Sequence, residues 1–325
     1  MTYYAPIAAV FVTLSVIAVL LSSKFGKTIQ DIPNDRSLHS IPIPRIGGVG
    51  VMAGILSGWG LMPAALVWWV VLPMLILFGV SLLDDMRGLP VRWRLLAHLA
   101  AAVLLVAGSG LFARHGVWAA MIVLLFTIWM TNLYNFMDGS DGLAGGMALF
   151  GFAGYGVAAL IAQDDMLAML NFTVAAAALG FLCRNFPPAR VFMGDAGSIP
   201  LGFLAATMGL WGWQQGYWTA WFPLLVFSPF IADASVTLVK RTLRGARITE
   251  AHREHYYQRA IQLGWGHRNV ALAEYVLMAS AALSALWVLQ QENKLLFIAL
   301  IWLAIYIVLM RWLDKRWADH AAGLA

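Results

Sequence analysis

Four polar side chains follow one another at intervals of three residues, between two long apolar stretches of the chain. Asn132, Asn135, Asp138 and Asp141 contribute two amides and two carboxylates. Helical spacing of three keeps the two asparagines on one face, and the glycine after each aspartate allows the backbone to turn both carboxylates towards a common point. Such oxygen ligands suit a hard divalent cation or the polar edge of a nucleotide. The alternative is a polar turn between two helices.

Two adjacent carboxylates, Asp84 and Asp85, follow another apolar run. Adjacent like charges repel each other, so the pair favours a nearby cation. Arg87, Arg92 and Arg94 follow closely, and they either bind an anion or anchor helix ends at the membrane surface. The alternative for the two aspartates is a solvated helix end.

A glycine-flanked aspartate lies in the connection after the seventh apolar run. Asp195 stands between Gly194 and Gly197, where the backbone can approach a ligand closely. Phe192 precedes this aspartate by three residues. Its ring is either a membrane-interface aromatic or a surface on which a base stacks.

The longest connection between apolar runs, 239–270, is rich in arginine and histidine. Its cations and imidazoles, His252 and His255 among them, suit phosphate oxygens. The two histidines could also bind a transition metal, but no third ligand stands at a convincing spacing. Asp233 lies inside the preceding apolar run, and an ionisable residue at membrane depth is a functional candidate by default. Its alternative role is to pair with an arginine or to cap a kinked helix.

The composition is that of a membrane protein. Of 325 residues, 61% are hydrophobic and 11% are charged, whereas about a quarter of a soluble globular domain is charged. The single cysteine, Cys183, excludes an internal disulfide and a cysteine-based metal site. The amino terminus lacks the basic segment of a cleaved signal peptide, so the first apolar run is expected to remain as a helix.

Apolar runs of membrane-spanning length predict an all-α, polytopic integral membrane protein with about eleven (10–11) transmembrane helices. The second and eighth are the weakest, because they are glycine-rich and short respectively. The whole chain, 1–325, is predicted to be one transmembrane domain. The predicted spans are 4–22, 46–63, 65–83, 95–112, 117–136, 143–162, 166–183, 199–213, 218–238, 271–290 and 295–312.

Basic residues are distributed very unevenly between the two sides of these spans. Nineteen of the 21 Lys and Arg residues lie on one set of alternate connections, and only Arg114 and Lys294 lie on the other. The positive-inside rule makes the basic set cytoplasmic, with the N-terminus periplasmic and the C-terminus cytoplasmic. This topology and attraction to anionic lipids explain the net charge of +5, so no nucleic-acid partner is predicted. The cytoplasmic connections predicted to be catalytic are 23–45, 84–94, 137–142, 184–198 and 239–270.

The acidic candidates share this cytoplasmic side, although the positive-inside rule concerns only Lys and Arg. Acid pairs, bases and glycine turns at one membrane face indicate metal-assisted chemistry on a phosphate-bearing substrate. The alternative is a membrane transporter of an anionic or nucleotide-linked substrate. Transporters tend to place charged groups near the membrane midplane and to show repeated halves.

Taken together, the motifs resemble the polyprenyl-phosphate N-acetylhexosamine-1-phosphate transferases, which form glycosyltransferase family 4. The matching segments occur in the family's order and in the corresponding connections. With the spans between them, they bring nearly the whole chain under the resemblance. They are Pro44-Arg-Ile-Gly-Gly48, Asp84-Asp85, Asn132-x-x-Asn-x-x-Asp-Gly-x-Asp-Gly-Leu143, Phe192-Met-Gly-Asp-x-Gly-Ser198 and the histidine-containing connection.

The resemblance implies transfer of an N-acetylhexosamine-1-phosphate from a UDP-N-acetylhexosamine to undecaprenyl phosphate, with release of UMP. It implies a Mg²⁺ cofactor, for which Mn²⁺ can substitute, and a bacterial inner-membrane location with the active site on the cytoplasmic face. A lipid phosphate is already ionised at neutral pH, so direct attack is favoured over a covalent phospho-aspartate. Membrane lipids and a second copy of the chain, in a homodimer, complete the expected partners.

The family pattern also implies a role for each matching residue. Metal binding falls to Asp195, Asp84 and Asp85, which are the expected catalytic residues together with His252 and His255. The histidines would contact the pyrophosphate, and Phe192 would stack on uracil. The residues implied in substrate binding are Asn132, Asn135, Asp138, Asp141, Phe192, Arg253 and Arg45.

Two departures from the family pattern narrow the choice of donor. The muramoyl branch has three consecutive histidines and the N-acetylglucosamine branch has His-x-His-His, whereas this chain has His252-Arg-Glu-His255. The muramoyl branch also has a lysine three residues after its second aspartate, where this chain has Gly88. Both departures argue against a muramoyl-pentapeptide donor. The His-Arg-x-His form resembles the lipopolysaccharide branch that initiates O-antigen synthesis, whose donors include 6-deoxy N-acetylhexosamines.

Overall fold

The computed structural model describes residues 2–33, 41–246 and 252–323. Residues 34–40 and 247–251, which belong to the predicted connections 23–45 and 239–270, lie outside the described residues. The described chain forms fourteen α-helices. They are α1 Ala5–Ser22, α2 Lys24–Thr28, α3 Gly47–Gly60, α4 Trp68–Arg87, α5 Val91–Gly108, α6 Leu111–Phe136, α7 Leu143–Ile161, α8 Asp165–Asn185, α9 Asp195–Gln214, α10 Trp221–Val226, α11 Ser228–Leu243, α12 Tyr256–Ala260, α13 Gly266–Leu289 and α14 Leu295–Ala321.

Within the described residues, eight segments are long and apolar enough to cross a membrane, which confirms an all-α, multi-pass membrane protein. They coincide with eight of the eleven predicted spans. Of the remaining three, 46–63 forms the 14-residue helix α3. The span predicted at 199–213 forms α9, whose glycines and internal Pro200 lower its hydropathy. The span predicted at 218–238 is divided into α10 and α11. The count of eleven and the orientation of the termini therefore stay predictions.

The helices extend into the connection predicted at 84–94. Helix α4 continues through Arg87 and ends at Gly88, whose φ of 66° lies in the left-handed region that glycine adopts freely. Pro90 then precedes the first residue of α5. Asp84 and Asp85 therefore belong to the last turn of a helix, where neighbouring side chains point about 100° apart.

Helix α6 carries the Asn/Asp motif to its carboxyl end. A non-helical conformation at Gly116 (φ 79°, ψ 178°) breaks this helix, so its continuous part matches the predicted span 117–136. Residues 137–142 then turn the chain into α7, with Gly142 at a φ of 77°. Asn132 and Asn135 are therefore helical, whereas Asp138 and Asp141 lie in the turn.

Helix α9 lies at the centre of the helix packing. It contacts α3, α4, α6 and α7, and α3 in turn packs against α1 and α8. Every residue of α9 from Ala196 to Leu210 is buried. By contrast, α14 exposes large apolar side chains such as Leu296 and Phe297, as expected for a helix that faces lipid. The first turn of α9, with Asp195, is thus fixed by several neighbouring helices.

Candidate active site

A carboxylate from α4 caps the amino end of α9. The two oxygens of Asp85 accept hydrogen bonds from the backbone N–H groups of Asp195 (Oδ1, 3.1 Å) and Ala196 (Oδ2, 2.8 Å). Gly194, with a φ of 72°, leaves room for this contact, because a Cβ there would lie 2.8 Å from Oδ2 of Asp85. Asp85 therefore satisfies two of the free N–H groups at the helix end and complements its positive dipole.

The side chain of Asp195 is held by an amide and a guanidinium. Nδ2 of Asn135 donates to Oδ1 of Asp195 at 2.8 Å and also lies 3.0 Å from Oγ of Ser198. Nη1 of Arg94 contacts Oδ2 of Asp195 at 3.2 Å and Oδ2 of Asp84 at 3.0 Å. The structure thus brings together carboxylates from α4 and α9, an amide from α6 and a cation from α5.

The electrostatics of this carboxylate cluster favour a further positive charge. Burial raises the pKa of Asp138 well above its usual range, and the negative charges of Asp195 and Asp85 raise it further. Arg45 opposes this effect, and its Nη2 forms an ion pair with Oδ1 of Asp31 at 2.6 Å. The predicted residues Asp84, Asp85, Asp138, Asp195, Asn135 and Arg45 therefore share one electrostatic environment in which acidic groups outnumber bases.

Oxygen donors of this kind fit Mg²⁺, which binds to few protein carboxylates and completes its shell with water and substrate phosphates. Among the described residues, no group of three or more acidic, histidine or cysteine side chains is arranged to hold a metal ion by itself. Asp84 and Asp195 instead share Arg94, which occupies the space between their carboxylates. The residues fit an open magnesium site and do not fit an all-protein cage.

Backbone hydrogen bonds join the segment that carries Arg45 to the segment that carries Phe192. The backbone N–H of Phe192 donates to the carbonyl of Pro44 at 2.8 Å, and the N–H groups of Gly47 and Gly48 donate to Phe192 and Met193 at 2.9 and 2.8 Å. Gln30–Asp31 (β1) pairs antiparallel with Ile43–Pro44 (β2) on the other side. These hydrogen bonds therefore hold the backbone of Phe192 in place, and its ring is half-buried.

Gly48→Ala is expected to destabilise the protein, because a Cβ at this position would overlap the backbone of Gly197 at the start of α9. Backbone cannot move aside as a side-chain end can, so the cost is about 1–3 kcal/mol. The measurement is the thermal unfolding midpoint in detergent. Gly79→Ala in α4 is the control, because a Cβ there meets nothing within 4 Å and alanine favours a helix. An equal midpoint for the two variants would contradict the prediction.

Two predicted substrate-binding residues have other partners. Asp141 accepts a hydrogen bond from the backbone N–H of Ala189 (2.9 Å) and lies 3.6 Å from Nδ1 of His267. Asn132 donates to the carbonyl of Ile128 at 2.8 Å. The turn therefore directs Asp141 to the 184–191 segment, and the expectation that Asp138 and Asp141 turn towards a common point stays a prediction.

The predicted histidine connection is anchored by a buried carboxylate of α11. Oδ1 of the buried Asp233 accepts from the N–H of Tyr256 at 2.9 Å and lies 3.3 Å from Nδ1 of His255, while Oδ2 accepts from the N–H of Tyr257 at 3.0 Å. The rings of His252 and His255 are 4.9 Å apart. Burial lowers the pKa of His252 to about 4, with the positive charges of His255 and Arg241 next in effect.

The histidine connection also contacts the Asn/Asp turn. The ring of His255 stacks on Phe136 with centroids 6.3 Å apart, and the hydroxyl of Tyr257 donates to the carbonyl of Phe136 at 3.1 Å. The backbone carbonyl of Arg253 accepts from Nε2 of Gln262 at 2.9 Å. His255 therefore lies beside Phe136, and the ring of His252 lies next to that of His255.

Several residues of the site escaped the sequence-based selection. Arg94 was noted only as an anchor or an anion ligand, and its position between Asp84 and Asp195 required the structure. His98 is buried in α5. The signal that could have identified His98 is an ionisable residue inside an apolar run.

Helical spans that converge on a cluster of carboxylates at their ends define a multi-pass membrane protein with a polar, phosphate-compatible site. The family model described as glycosyl transferase family 4 matches residues 67–212, which include Asp84, Asp85, the Asn/Asp motif and Asp195. The chain is similar to this family over that segment. The histidine connection lies beyond the matched segment.

Relatives extend the similarity over most of the chain. A probable undecaprenyl-phosphate N-acetylglucosaminyl 1-phosphate transferase of Bacillus subtilis (strain 168) is 28% identical, with 96% of this chain and 91% of the relative covered. An undecaprenyl-phosphate alpha-N-acetylglucosaminyl 1-phosphate transferase of Yersinia pestis is 26% identical over 81% and 77%. A phospho-N-acetylmuramoyl-pentapeptide-transferase of Staphylococcus saprophyticus is 25% identical over 89% and 99%.

Proposed function

We propose that the protein transfers an N-acetylhexosamine-1-phosphate from a UDP-N-acetylhexosamine to undecaprenyl phosphate at the cytoplasmic face of the bacterial inner membrane. The observation that carries this proposal is the convergence of Asp84, Asp85, Asn135 and Asp195 around Arg94. Each residue lies near the end of its helix, as expected for a site at a membrane surface. This placement does not favour the transporter alternative, which requires charged groups near the midplane.

The reaction exchanges one phosphoanhydride bond for another. A phosphate oxygen of undecaprenyl phosphate attacks the β-phosphorus of the donor, and the bond from that phosphorus to the bridging oxygen breaks. The bridging oxygen leaves with UMP, and the sugar phosphate remains on the lipid as part of a new pyrophosphate. The nucleophile is already ionised, so the protein contributes mainly by placing both phosphates in line.

The residues around α9 have complementary tasks in this scheme. Asp195, Asp84 and Asp85 would hold Mg²⁺, which when bound neutralises charge on the diphosphate. Asp85 also fixes the first turn of α9, and the positive end of that helix favours phosphate. Asn135 keeps the carboxylate of Asp195 in one orientation, because its Nδ2 donates to Oδ1.

The donor would extend from this cluster towards the histidine connection. His252, Arg253 and His255 are assigned to the pyrophosphate, with Arg45 as a further cation. Asn132, Asp138 and Asp141 are assigned to the nucleotide end, where Phe192 would stack on uracil. The backbone bond that Asp141 makes with Ala189 gives it a second task, which is to hold the 184–191 segment beside that pocket.

The test is release of UMP by purified protein from a panel of UDP-N-acetylhexosamines with undecaprenyl phosphate and Mg²⁺. Mg²⁺-dependent release, with Mn²⁺ as a substitute, is expected. Absence of release with every donor would reject the enzyme assignment. Because the chain has His252-Arg-Glu-His255, we further propose a 6-deoxy N-acetylhexosamine donor and a role in initiating O-antigen or another cell-surface polysaccharide. Preference for UDP-N-acetylmuramoyl-pentapeptide in the same panel would reject that choice.

Donor binding is expected to strengthen as pH falls from 8 towards 5. Burial, together with the charges of His255 and Arg241, lowers the pKa of His252 to about 4, so the free imidazole is neutral at pH 7. An anionic diphosphate raises this pKa when it binds. Binding then takes up a proton between the two pKa values, and affinity rises by up to about tenfold per pH unit.

Isothermal titration with a UDP-sugar measures this dependence, because its phosphodiester groups stay ionised throughout the range. His252→Gln is expected to flatten the slope, whereas His320→Gln, at an exposed position near the end of α14, is expected to leave it unchanged. Affinity that weakens as pH falls would contradict the prediction.

A further inference from the structure

One carboxylate accepts the hydrogen bonds that hold the start of α12, within the histidine connection. Asp233 lies in α11, is 5% exposed, and accepts hydrogen bonds from the N–H groups of Tyr256 and Tyr257 at 2.9 and 3.0 Å. The hydroxyl of Thr237 donates to its Oδ1 at 3.1 Å. These bonds offset much of the cost of burying a charge, and they tie α12 to a helix that lies before the 247–251 segment in the chain.

The same carboxylate also contacts the ring of His255. Nδ1 of His255 lies 3.3 Å from Oδ1 of Asp233, and a carboxylate is the acceptor of such a pair, so Nδ1 is assigned as the donor. The ring is 3% exposed and lies between the rings of His252 and Tyr257. A carboxylate on one ring nitrogen is an arrangement by which proteins fix the tautomer and orientation of a histidine.

We propose that Asp233 is a positioning residue for the reaction, which acts by holding His255 with Nδ1 protonated and Nε2 directed at the diphosphate of the donor. This inference rests on the proposed function and extends it to a residue that makes no contact with the carboxylate cluster. It also accounts for a charged side chain in an otherwise apolar part of α11. The buried acid orients a group of the proposed active site.

If Asp233 served only to stabilise α12, its loss would have the same effect as the loss of another contact of that helix. The chain contains a matched control for this comparison. Asp314 of α14 holds the other side of α12: it pairs with Arg259 at 2.7 Å and with Lys240, and it accepts from the hydroxyl of Tyr256. Asp314 has no contact with His255 among the described residues. Asp314→Asn therefore loosens the same short helix without acting on the ring.

The experiment is a double-mutant cycle on UMP release. Asp233→Asn is expected to reduce kcat by about 10- to 100-fold, because an amide cannot accept all the bonds that the carboxylate accepts. In a His255→Gln background, Asp233→Asn is expected to have little further effect, since its action passes through the ring. The Asp314→Asn and His255→Gln losses are expected to multiply. Independent, multiplying losses for Asp233 and His255 would overturn the proposal.

A spectroscopic measurement separates this proposal from the proposed function. Long-range ¹H–¹⁵N spectra of ¹⁵N-histidine-labelled protein at pH 8 report the tautomer of each of the seven histidines, and His255 is assigned by its disappearance in His255→Gln. The Nδ1-protonated form is expected, with a change in Asp233→Asn and none in Asp314→Asn. A proton on Nε2, or no change in Asp233→Asn, would overturn the assignment of Asp233 even if no UDP-sugar releases UMP.

Discussion

Asp195→Asn is expected to reduce UMP release by about 10³-fold or more, because it removes a negative charge worth ~4 kcal/mol to a bound cation at the transition state. The substitution keeps the size of the side chain, and the new amide can still accept from Nδ2 of Asn135, which now contacts Oδ1. It also leaves the N–H of residue 195 free to donate to Asp85. The fold is therefore expected to persist while turnover is lost.

Two measurements decide this prediction. Thermal unfolding in detergent should show a midpoint close to that of the wild type, and a Mg²⁺ titration of the residual activity should shift to higher concentration. Asp165→Asn is the control, because this carboxylate is exposed and its partner is the hydroxyl of Tyr3, which does not belong to the carboxylate cluster. Near-normal activity of Asp195→Asn would remove it from the metal site.

Asp85→Asn is expected to lower both stability and activity, in contrast to Asp195→Asn. Both oxygens of Asp85 accept backbone N–H groups of α9, and an asparagine offers only one acceptor and places an NH₂ group against the other donor. One N–H group loses its partner, at a cost of about 1–3 kcal/mol. The first turn of α9 then loses its fixed position, and activity is expected to fall on the order of 10²-fold.

Asp164→Asn tests whether the loss of activity follows from helix capping in general. Asp164 accepts from the N–H of Leu167 at 2.8 Å and from the hydroxyl of Tyr217 at 2.8 Å, at the amino end of α8. Asp164→Asn is expected to lose less stability than Asp85→Asn, because the hydroxyl of Tyr217 can accept from the new NH₂ group, and only Asp85→Asn is expected to lose turnover. An Asp85→Asn protein that unfolds at the wild-type temperature would show that the capping bonds are unimportant.

Much of the fold could be predicted from the sequence, because a membrane span can be recognised as a continuous run of apolar residues. Runs such as 117–136 and 143–162 are limited by bilayer thickness, and the helices follow them closely. The spans at 46–63 and 218–238 differ more. Glycine-rich or proline-containing helices such as α3 and α10 owe their bounds to neighbouring helices, which hydropathy does not describe.

The sequence could indicate which residues belong to the candidate site, but it could not indicate which residues they contact. Helical spacing places Asn132 and Asn135 on one side of α6, yet Asn132 donates to its own helix and Asn135 donates to Asp195 of α9. The choice of Ala189 as partner for Asp141, and of His255 for Asp233, depends on how distant segments dock. Such pairings follow from packing in three dimensions, and spacing along one helix carries no information about them.

The capping of α9 by Asp85 has a consequence for how the protein is made. Asp85 precedes its N–H partners by 110 and 111 residues, so α4 leaves the ribosome long before the helix end that its carboxylate will cap. Between these moments the nascent chain carries an acidic pair whose nearby cations in sequence are Arg87, Arg92 and Arg94. The candidate active site is therefore completed only after α9 has been synthesised, by association with helices made earlier.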